Sequence, residues 1–586
     1  MRGLPLYSPA THLHGFCSLP NLRGYYIKNN LLAKVYHIGF ITPLVTFAER
    51  QIIIMNLKYK EIFAQYQAGV QHKASLGKRG MYEQNRINER FFIGDQWYGA
   101  KCGNDRPLVR HNIIKRIGDY KISQIISAPL SVNFSAEGIV TDYNILPQKD
   151  NIKSFKGELN QAEINLVTSA FGKYFNTTAE RVGFASLQDK ILRNAYITGT
   201  GVLYTYWDSD VKTGLYADDS RKYKIYGDIC CEVLDIDDVY FGDPYLEEVE
   251  NQPYIIISSF VETEAALHEA RLFGANINTL RDIEESAVNG KINLLTKFFK
   301  EYKNDGSYTI KSVKVCEKAV VRDEFDTGLR LYPINIFKWE RRNNSVYGES
   351  EITYIIPNQI AINRMITANV WSAMTTGMPI MLVNGDTITQ KLTNEPGQII
   401  KVFGSNEDVS GAVKYVTPPA FKEDYDVSIN SLINNTLTQS GANEVALGDS
   451  RADNATALIT MRDAALMPLQ ILKNRFYAFV EQTARIWADF WITQYSDRKI
   501  KIIDQNGVWY MPFNASRYNE LIINTKVDVA NGTIYNEREC FNNLITLFEK
   551  GLIDRKQLIS RLPSGSVPEK NSLLKEISEV AINDGI

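Results

Sequence analysis

An α+β fold built from several structural units is what this sequence predicts, and three observations predict it. Stretches with helical hydrophobic period and stretches with strand-like alternation follow one another from about 56 to 340. At 586 residues the chain is longer than a single hydrophobic core serves, so two to four units are expected. Hydrophobic residues at 44% and charged residues at 23% describe an ordinary globular chain, neither disordered nor fibrous.

The first 54 residues stand apart, with five basic residues (Arg2, Arg23, Lys28, Lys34, Arg50) and one acid, Glu49. Their apolar run at 35–48 is interrupted by His37 and Pro43 and is too short to span a bilayer. Met55 is expected to be the natural start, with 1–54 a non-native or disordered extension. From there the helical pattern begins: Tyr59, Ile62, Phe63 and Tyr66 fall at i, i+3, i+4 and i+7. A second helix carries Asn85, Asn88, Glu89 and Phe92 and closes at Gly94, with Phe91, Phe92 and Trp97 read as a hydrophobic anchor. Further helices are predicted at 110–127, ended by Ala128-Pro129, and at 160–195. "SVNFSAEG", "GTGVLYTYWD", "CCEVLDIDDVYFGDP" and "QPYIIISSFV" read as strands. A helix at 262–273 and strands at 309–321 and 330–340 complete the α+β unit; the polar stretch 274–308 receives no assignment.

The next block changes character. Within 348–379 a helix is predicted with Pro357 near its start; from there to Gly377 it carries one charge, Arg364, and apolar residues lie on every side: Ile356, Ile360, Ile362, Met365, Val370, Trp371 and Met374. A helix apolar all round is expected to be buried, either in a core or against several neighbours. Asn358, Gln359, Asn363, Arg364 and Asn369 argue against a membrane span. A small β module is predicted at 379–420 and a more polar helix at about 423–439. "SGANEVALGD" (440–449) then leads to a helical pattern over 454–491, on the order of 55 Å long, with an apolar residue or threonine at every third or fourth position. Pro468 lies inside it and is expected to kink it. Glu481–Arg485 and Arg485–Asp489 are predicted i,i+4 ion pairs. Strands at 499–511 and 520–530 and helices at about 535–550, 553–561 and 570–582 follow.

Motifs for chemistry are sparse. "GTGVLY" (199–204) lacks the third glycine of a dinucleotide loop, and no Walker A or G-x-S-x-G sequence occurs. The six cysteines form no CxxC pair and three of the six histidines lie in the first 54 residues. "DIDD" (235–238) is read as a solvated turn, lacking the glycine and distal glutamate of a calcium loop. No metal, cofactor or catalytic residue is expected, and the chain is read as a structural protein or conduit. The alternative is a phage or prophage nucleic-acid-processing enzyme using Asp235, Asp237 and Asp238. The net charge of −2 argues against wrapping nucleic acid with a basic surface.

The order of these units resembles the portal proteins of tailed bacteriophages, the head-to-tail connectors. The segments that carry the resemblance are "NERFFIGDQW" with "RPLVRHNIIKRIGDYKISQI", "TGTGVLYTYWD", "VLDIDDVYFGDP", "YGESEITYIIPNQIAINRM" with "TGMPIMLVNG", and "QSGANEVALGDSRADNATALITMRDAALMPL". They extend over about 55–560. The resemblance implies a twelve-subunit ring at one capsid vertex in the virion, assembled in the host cytoplasm, through which double-stranded DNA passes. It implies a wing from 55–340 with strands at 496–532, and stem helices at 354–376 and 423–440 packing between subunits through Ile360, Asn363, Arg364, Val370 and Trp371. A clip at 379–420, including Pro379, Asn384 and Gly385, would meet the terminase large subunit and then a head-completion adaptor. A tunnel loop at 441–456 would line the channel with Asp449, Ser450, Arg451, Asp453 and Asn454. A long helix at 457–495 kinked at Pro468, and a crown with C-terminal tail at 533–586, complete the subunit. Major capsid and scaffolding proteins are the remaining implied partners, and no membrane is involved. A channel with few clustered basic residues would pass DNA without gripping its phosphates.

Overall fold

The computed structural model describes residues 47–100, 107–127, 130–137, 161–216, 224–304, 306–376, 380–383, 413–416, 424–442, 466–495, 498–504, 507–513, 522–529 and 534–562, with positions 388, 401, 403, 518 and 573. Helix and sheet are mixed throughout, and the fold is α+β.

Helix α1 (Phe47–Ser75) runs through Met55, so the expected boundary at 54/55 falls inside an element. Its Ile62, with Tyr59, Phe63, Tyr66 and Val70, covers one face of a five-stranded antiparallel sheet. In order across that sheet lie β4 (Val239–Phe241), β5 (Tyr254–Glu262), β6 (Lys291–Tyr302), β7 (Tyr308–Val315) and β8 (Val320–Asp326). The opposite face is covered by α6 (Thr263–Leu272) and α7 (Ile277–Glu285) through Leu267, Ala270 and Ile283. Residues 274–308 therefore hold α7 and β6. The period of α7 is hard to see because Ile283 is the one residue of this helix that is buried.

The main core is built on a three-stranded sheet ordered β3 (Lys224–Leu234), β2 (Thr200–Tyr216) and β9 (Ile334–Lys338). Helices α2 (Met81–Ile93), α3 (Ile113–Ile126), α4 (Gln161–Val182) and α5 (Phe184–Thr198) pack around it. Gly94, at φ 94°, ends α2 by donating its N–H to Arg90 O, and the Asn112 side chain caps α3 by accepting from Lys115 N. The anchor residues behave as read: Phe92 is buried edge-on to Tyr196, and Trp97 Nε1 donates to Val109 O at 3.0 Å.

The "GTG" of 199–201 has a packing reason. A Cβ on Gly201 would lie 2.4 Å from Ile191 O, and Gly199, at φ 89°, sits against the backbone of Gly348 and Glu349. These glycines let the start of β2 touch α5 and the chain leading to the next long helix. No phosphate-binding loop is needed to account for them.

Helix α10 (Gln470–Gln494) threads this core, and Leu472, Phe476, Phe479, Thr483, Trp487 and Phe490 are buried as the apolar stripe predicts. From Thr483 onward burial spreads round the helix to include Ile486, Asp489 and Trp491. The predicted surface ion pairs give way there. Asp489 instead accepts from Arg330 N and Leu331 N at 2.7 and 3.1 Å and pairs with Arg330, while Glu481 Oε1 accepts from Val527 N. Both carboxylates serve backbone N–H groups that would otherwise be orphaned. Strand β14 (Ile522–Val529) pairs antiparallel with β1 (Leu130–Glu137) in the register Leu130↔Val529 to Glu137↔Ile522, which ties the late chain to the early body. A hairpin of β12 (Arg498–Asp504) and β13 (Gly507–Phe513) lies beside α4. Helices α11 (Ile534–Glu549) and α12 (Arg555–Arg561) end the described chain, the latter opened by an Asp554–Gln557 capping box. The helix expected at 570–582 lies outside the described residues apart from position 573.

Candidate functional site

The candidate site centres on helix α8 (Glu351–Thr376) and the helix antiparallel to it, α9 (Asp424–Gln439). Helix α8 starts at Glu351, so Pro357 lies inside it and not near its start. Two polar bridges fix the pair: Asn358 Nδ2 donates to Thr436 Oγ1 at 3.1 Å, and Asn369 Nδ2 to Asp426 Oδ1 at 2.6 Å. Between them Ile429 and Leu437 are buried, with Leu432 and Ile433 partly so.

Within the single chain α8 is buried on part of its surface only. Ile352, Ile355 and Ile362 are buried, and so are Gln359 (0% exposed) and Asn363 (2%). Tyr354 (61%), Val370 (36%) and Met374 (56%) instead face outward. On α9, Tyr425 and Val427 are exposed beside the Asn369–Asp426 bridge. An apolar strip is thus left open at the C-terminal end of α8 and the N-terminal end of α9.

Of the residues expected to pack between subunits, Ile360 and Trp371 are half-buried, while Arg364 and Val370 are exposed. Asn363 is consumed within its own chain. Its Oδ1 accepts from His111 N at 3.0 Å and from Gln359 Nε2 at 3.0 Å, and its Nδ2 donates to Gln96 Oε1 at 2.6 Å. Asn363 therefore leaves the set of residues available to a neighbour.

At the other end of the pair, Gly441 (φ 74°) closes α9: Gly441 N donates to Thr438 O and Ala442 N to Leu437 O. A Cβ on Gly441 would lie 3.3 Å from Pro468 Cβ. Pro468 sits in a one-turn 3-10 segment, Met467–Leu469, entered from the right-handed helical Leu466 and followed at once by α10. Residues 457–465, the helical arm expected before Pro468, lie outside the described residues; at Pro468 itself the backbone forms a tightened turn. A cleft of about 500 Å³ opens beside it, lined by Glu351, Tyr354, Asn358, Thr436, Ser440 and Pro468. Its floor is rigid, because Lys121 Nζ reaches both oxygens of Glu351 at 2.7 and 2.8 Å and Trp339 Nε1 donates to the same carboxylate.

Asp449, Ser450, Arg451, Asp453 and Asn454, expected to line a channel, and Pro379, Asn384 and Gly385, expected in a clip, lie outside the described residues. Of the small β module, strands β10 (Ile380–Val383) and β11 (Val413–Val416) pair antiparallel, Ile380 opposite Val416.

The acidic run 235–238 is more than a solvated turn. Ile236–Asp238 forms a 3-10 turn whose Ile236 and Asp237 carbonyls accept from the fully buried Lys73 Nζ of α1. The ammonium lies 4.0 Å from the centre of the Tyr240 ring, and Asn85 Nδ2 donates to Asp237 Oδ1 at 2.8 Å. Burial pulls the Lys73 pKa down to about 7, with the Asp237, Asp238 and Asp235 charges opposing, and burial raises that of Asp237. Lys73 was not singled out in the sequence. Its only signal there is a lysine on the apolar side of an amphipathic helix.

Among the described residues no group of three His, Cys, Asp or Glu is placed to hold a metal ion, and no helix is long and apolar enough to cross a membrane. No protein-family model and no curated protein matches the chain.

Proposed function

We propose that this chain is the subunit of a portal-type ring, a non-enzymatic conduit for double-stranded DNA. The observation that carries the reading is the inverted polarity of α8. Its buried Gln359 and Asn363 are satisfied inside the chain, while Val370 and Met374 at its C-terminal end face outward and, with Tyr425 and Val427 of α9, leave apolar surface open. Burying that surface against a second copy would stabilise an assembly, since apolar area removed from water contributes about 25 cal/mol per Å². A ring gives every copy a neighbour on both sides. The order of units along the sequence supports the same reading: paired helices, a small β module and a glycine-closed loop leading into a helix interrupted at Pro468. On this reading about twelve copies form the ring, residues 379–420 meet terminase and later an adaptor, 441–456 face the DNA, and 533–586 face the capsid interior.

Electron microscopy of the purified chain tests it. Closed rings are expected, and the double variant Val370→Asp/Met374→Asp should abolish them while leaving the circular dichroism spectrum unchanged. A monodisperse monomer across a wide range of salt and protein concentration would overturn the reading, as would rings that persist in the double variant.

A further inference from the structure

Residues 109–113 cross α8 on the way into α3, turning at Asn112 (φ −77°, ψ 86°), and their backbone bonds to side chains at helical spacing. Val109 N donates to Thr367 Oγ1 at 3.1 Å, His111 N to Asn363 Oδ1 at 3.0 Å, and Ile113 N to Gln359 Oε1 at 3.0 Å. Gln359 Nε2 returns a bond to His111 O, and Ile113 N also contacts His111 O at 3.0 Å. Every second backbone donor of the segment thus meets every fourth residue of the helix, running antiparallel.

The match is metric. Four residues of helix rise about 6.0 Å, and two residues of chain can advance up to about 6.6 Å; the step from His111 to Ile113 is shorter, because Ile113 N also bonds His111 O around the turn at Asn112. Because four residues turn the helix about 40° past one full turn, a straight segment can follow such a row for only about three rungs before the row winds away. Three are present. The positions one step beyond are Ile355 and Trp371, whose side chains carry no acceptor for a backbone N–H. Sliding the segment by one rung toward the C-terminal end of α8 would set Val109 N against Trp371 and leave it without an acceptor, whereas the opposite slide sets Ile113 N, which keeps its His111 O bond, against Ile355. An N–H orphaned in this way disfavours the slipped register by about tenfold or more.

The same side chains bind α8 to the layer behind the segment. Asn363 Nδ2 holds Gln96, Gln96 Nε2 donates to Phe91 O, Trp97 Nε1 donates to Val109 O and Asn112 Nδ2 to Phe92 O. We propose that residues 109–113 form a register strap that makes α8 move as one body with α2 and α3, so that a displacement of α8 along its axis is transmitted to those helices or is blocked. The device belongs to one chain and stands whether or not copies of the chain form a ring.

Amide hydrogen exchange on the full chain, resolved to single residues, tests the strap. Protection should alternate: slow exchange at Val109, His111 and Ile113, and fast exchange at Arg110, for whose N–H the described residues offer no acceptor. Thr367→Val keeps the side-chain shape and removes one acceptor, so exchange at Val109 should rise about tenfold with Ile113 unchanged. Asn363→Leu should release His111 and, through the lost Gln96 bond, also speed exchange at 94–99 on the α2 side. Uniform protection across 109–113 in the wild type would overturn the proposal. So would a Thr367→Val chain with unchanged exchange at Val109, or an Asn363→Leu chain whose 94–99 segment exchanges as before.

Discussion

Adding a single methyl group at Gly201 should be among the most costly small changes the fold can suffer. The Cβ of Gly201→Ala would lie 2.4 Å from Ile191 O and 2.8 Å from Ile191 Cγ2. A comfortable carbon–oxygen contact is about 3.3 Å, so β2 and α5 must separate by roughly 0.9 Å. Neither can. Strand β2 is laddered to β9 and β3 on its two edges, with Gly201 opposite Phe337 and Val202 opposite Leu234. Helix α5 is held by Ile191, Leu192, Ala195 and Tyr196, all 0% exposed. Overpacking typically costs about 1–3 kcal/mol, and a backbone obstacle, unlike a side-chain tip, cannot rotate away, so about 3 kcal/mol is expected. Gly77→Ala is the control: its φ of 69° strains any other residue, but nothing lies within 4 Å of the new Cβ, so the cost is about 1 kcal/mol. Urea unfolding followed by the fluorescence of the fully buried Trp339, Trp487 and Trp491 reports on this core directly. A Gly201→Ala midpoint equal to or above that of Gly77→Ala would refute the reasoning.

Three further outcomes follow from buried charges. The Lys73 pKa is about 7 in the fold against 10.5 as its ordinary value, so the native state holds fewer protons between those limits. Its contribution to stability is present above 10.5 and is lost as pH falls through 7. Lys73→Met should flatten the rise of the urea midpoint between pH 7 and 9.5, a slope of at most about 1.4 kcal/mol per unit; an unchanged slope would show that the ammonium is not the titrating group. Burial pushes the Glu250 carboxyl up to about 7 from 4.5, against the Tyr332 N–H and the Lys300 charge. Its contribution has the opposite sign, present below pH 4.5 and lost as pH rises through 7, so Glu250→Gln should remove the decline in midpoint that reaches pH 7, and a decline of the same size in the variant would exclude it. Asp489→Ala orphans the Arg330 and Leu331 N–H groups and should cost about 2–4 kcal/mol, with Asp489→Asn recovering part of this; equal midpoints for the two variants would show that the backbone caps contribute nothing.

Much of the element order was legible because it rests on period and on caps. The stripe from Leu469 to Phe490, the Gly94 stop, and the closure of α9 at Gly441 are local signals that packing left intact. Partner choice was not legible. Asp489 and Arg485 stand at ion-pair spacing, yet the Asp489 carboxylate turns to two backbone N–H groups of a segment about 160 residues away. Lys73 reaches its carbonyls across a similar separation. Helix α7 was not legible either, because it is short: its nine residues bury only Ile283, with Leu280 packed against the same face of the sheet.

Helix α8 is where composition alone says least about which sides are covered, and the reason is general. A helix rich in apolar residues on every side reads as buried, because the usual test asks only how many sides are apolar. The polar minority decides the matter here. Gln359, Asn363 and Thr367 recur every four residues and so form one row, which is the side the segment 109–113 occupies. Asn358 and Asn369 form a second polar edge, the one that α9 occupies. Two of the helix's sides are thus claimed by polar pairing within the chain. Val370 and Met374 continue the side of Ile352 and Gln359 beyond the end of the core and are exposed there, while Tyr354 lies on the opposite side near the N-terminus, beside the cleft. Exposing three large apolar side chains while burying two amides reverses the arrangement water favours. The reversal costs little for the amides, since each meets donors and acceptors, and its remaining cost lies in the open strip. A neighbour covering that strip would remove it, which is why the surface of α8, more than any single residue, carries the proposal of a ring.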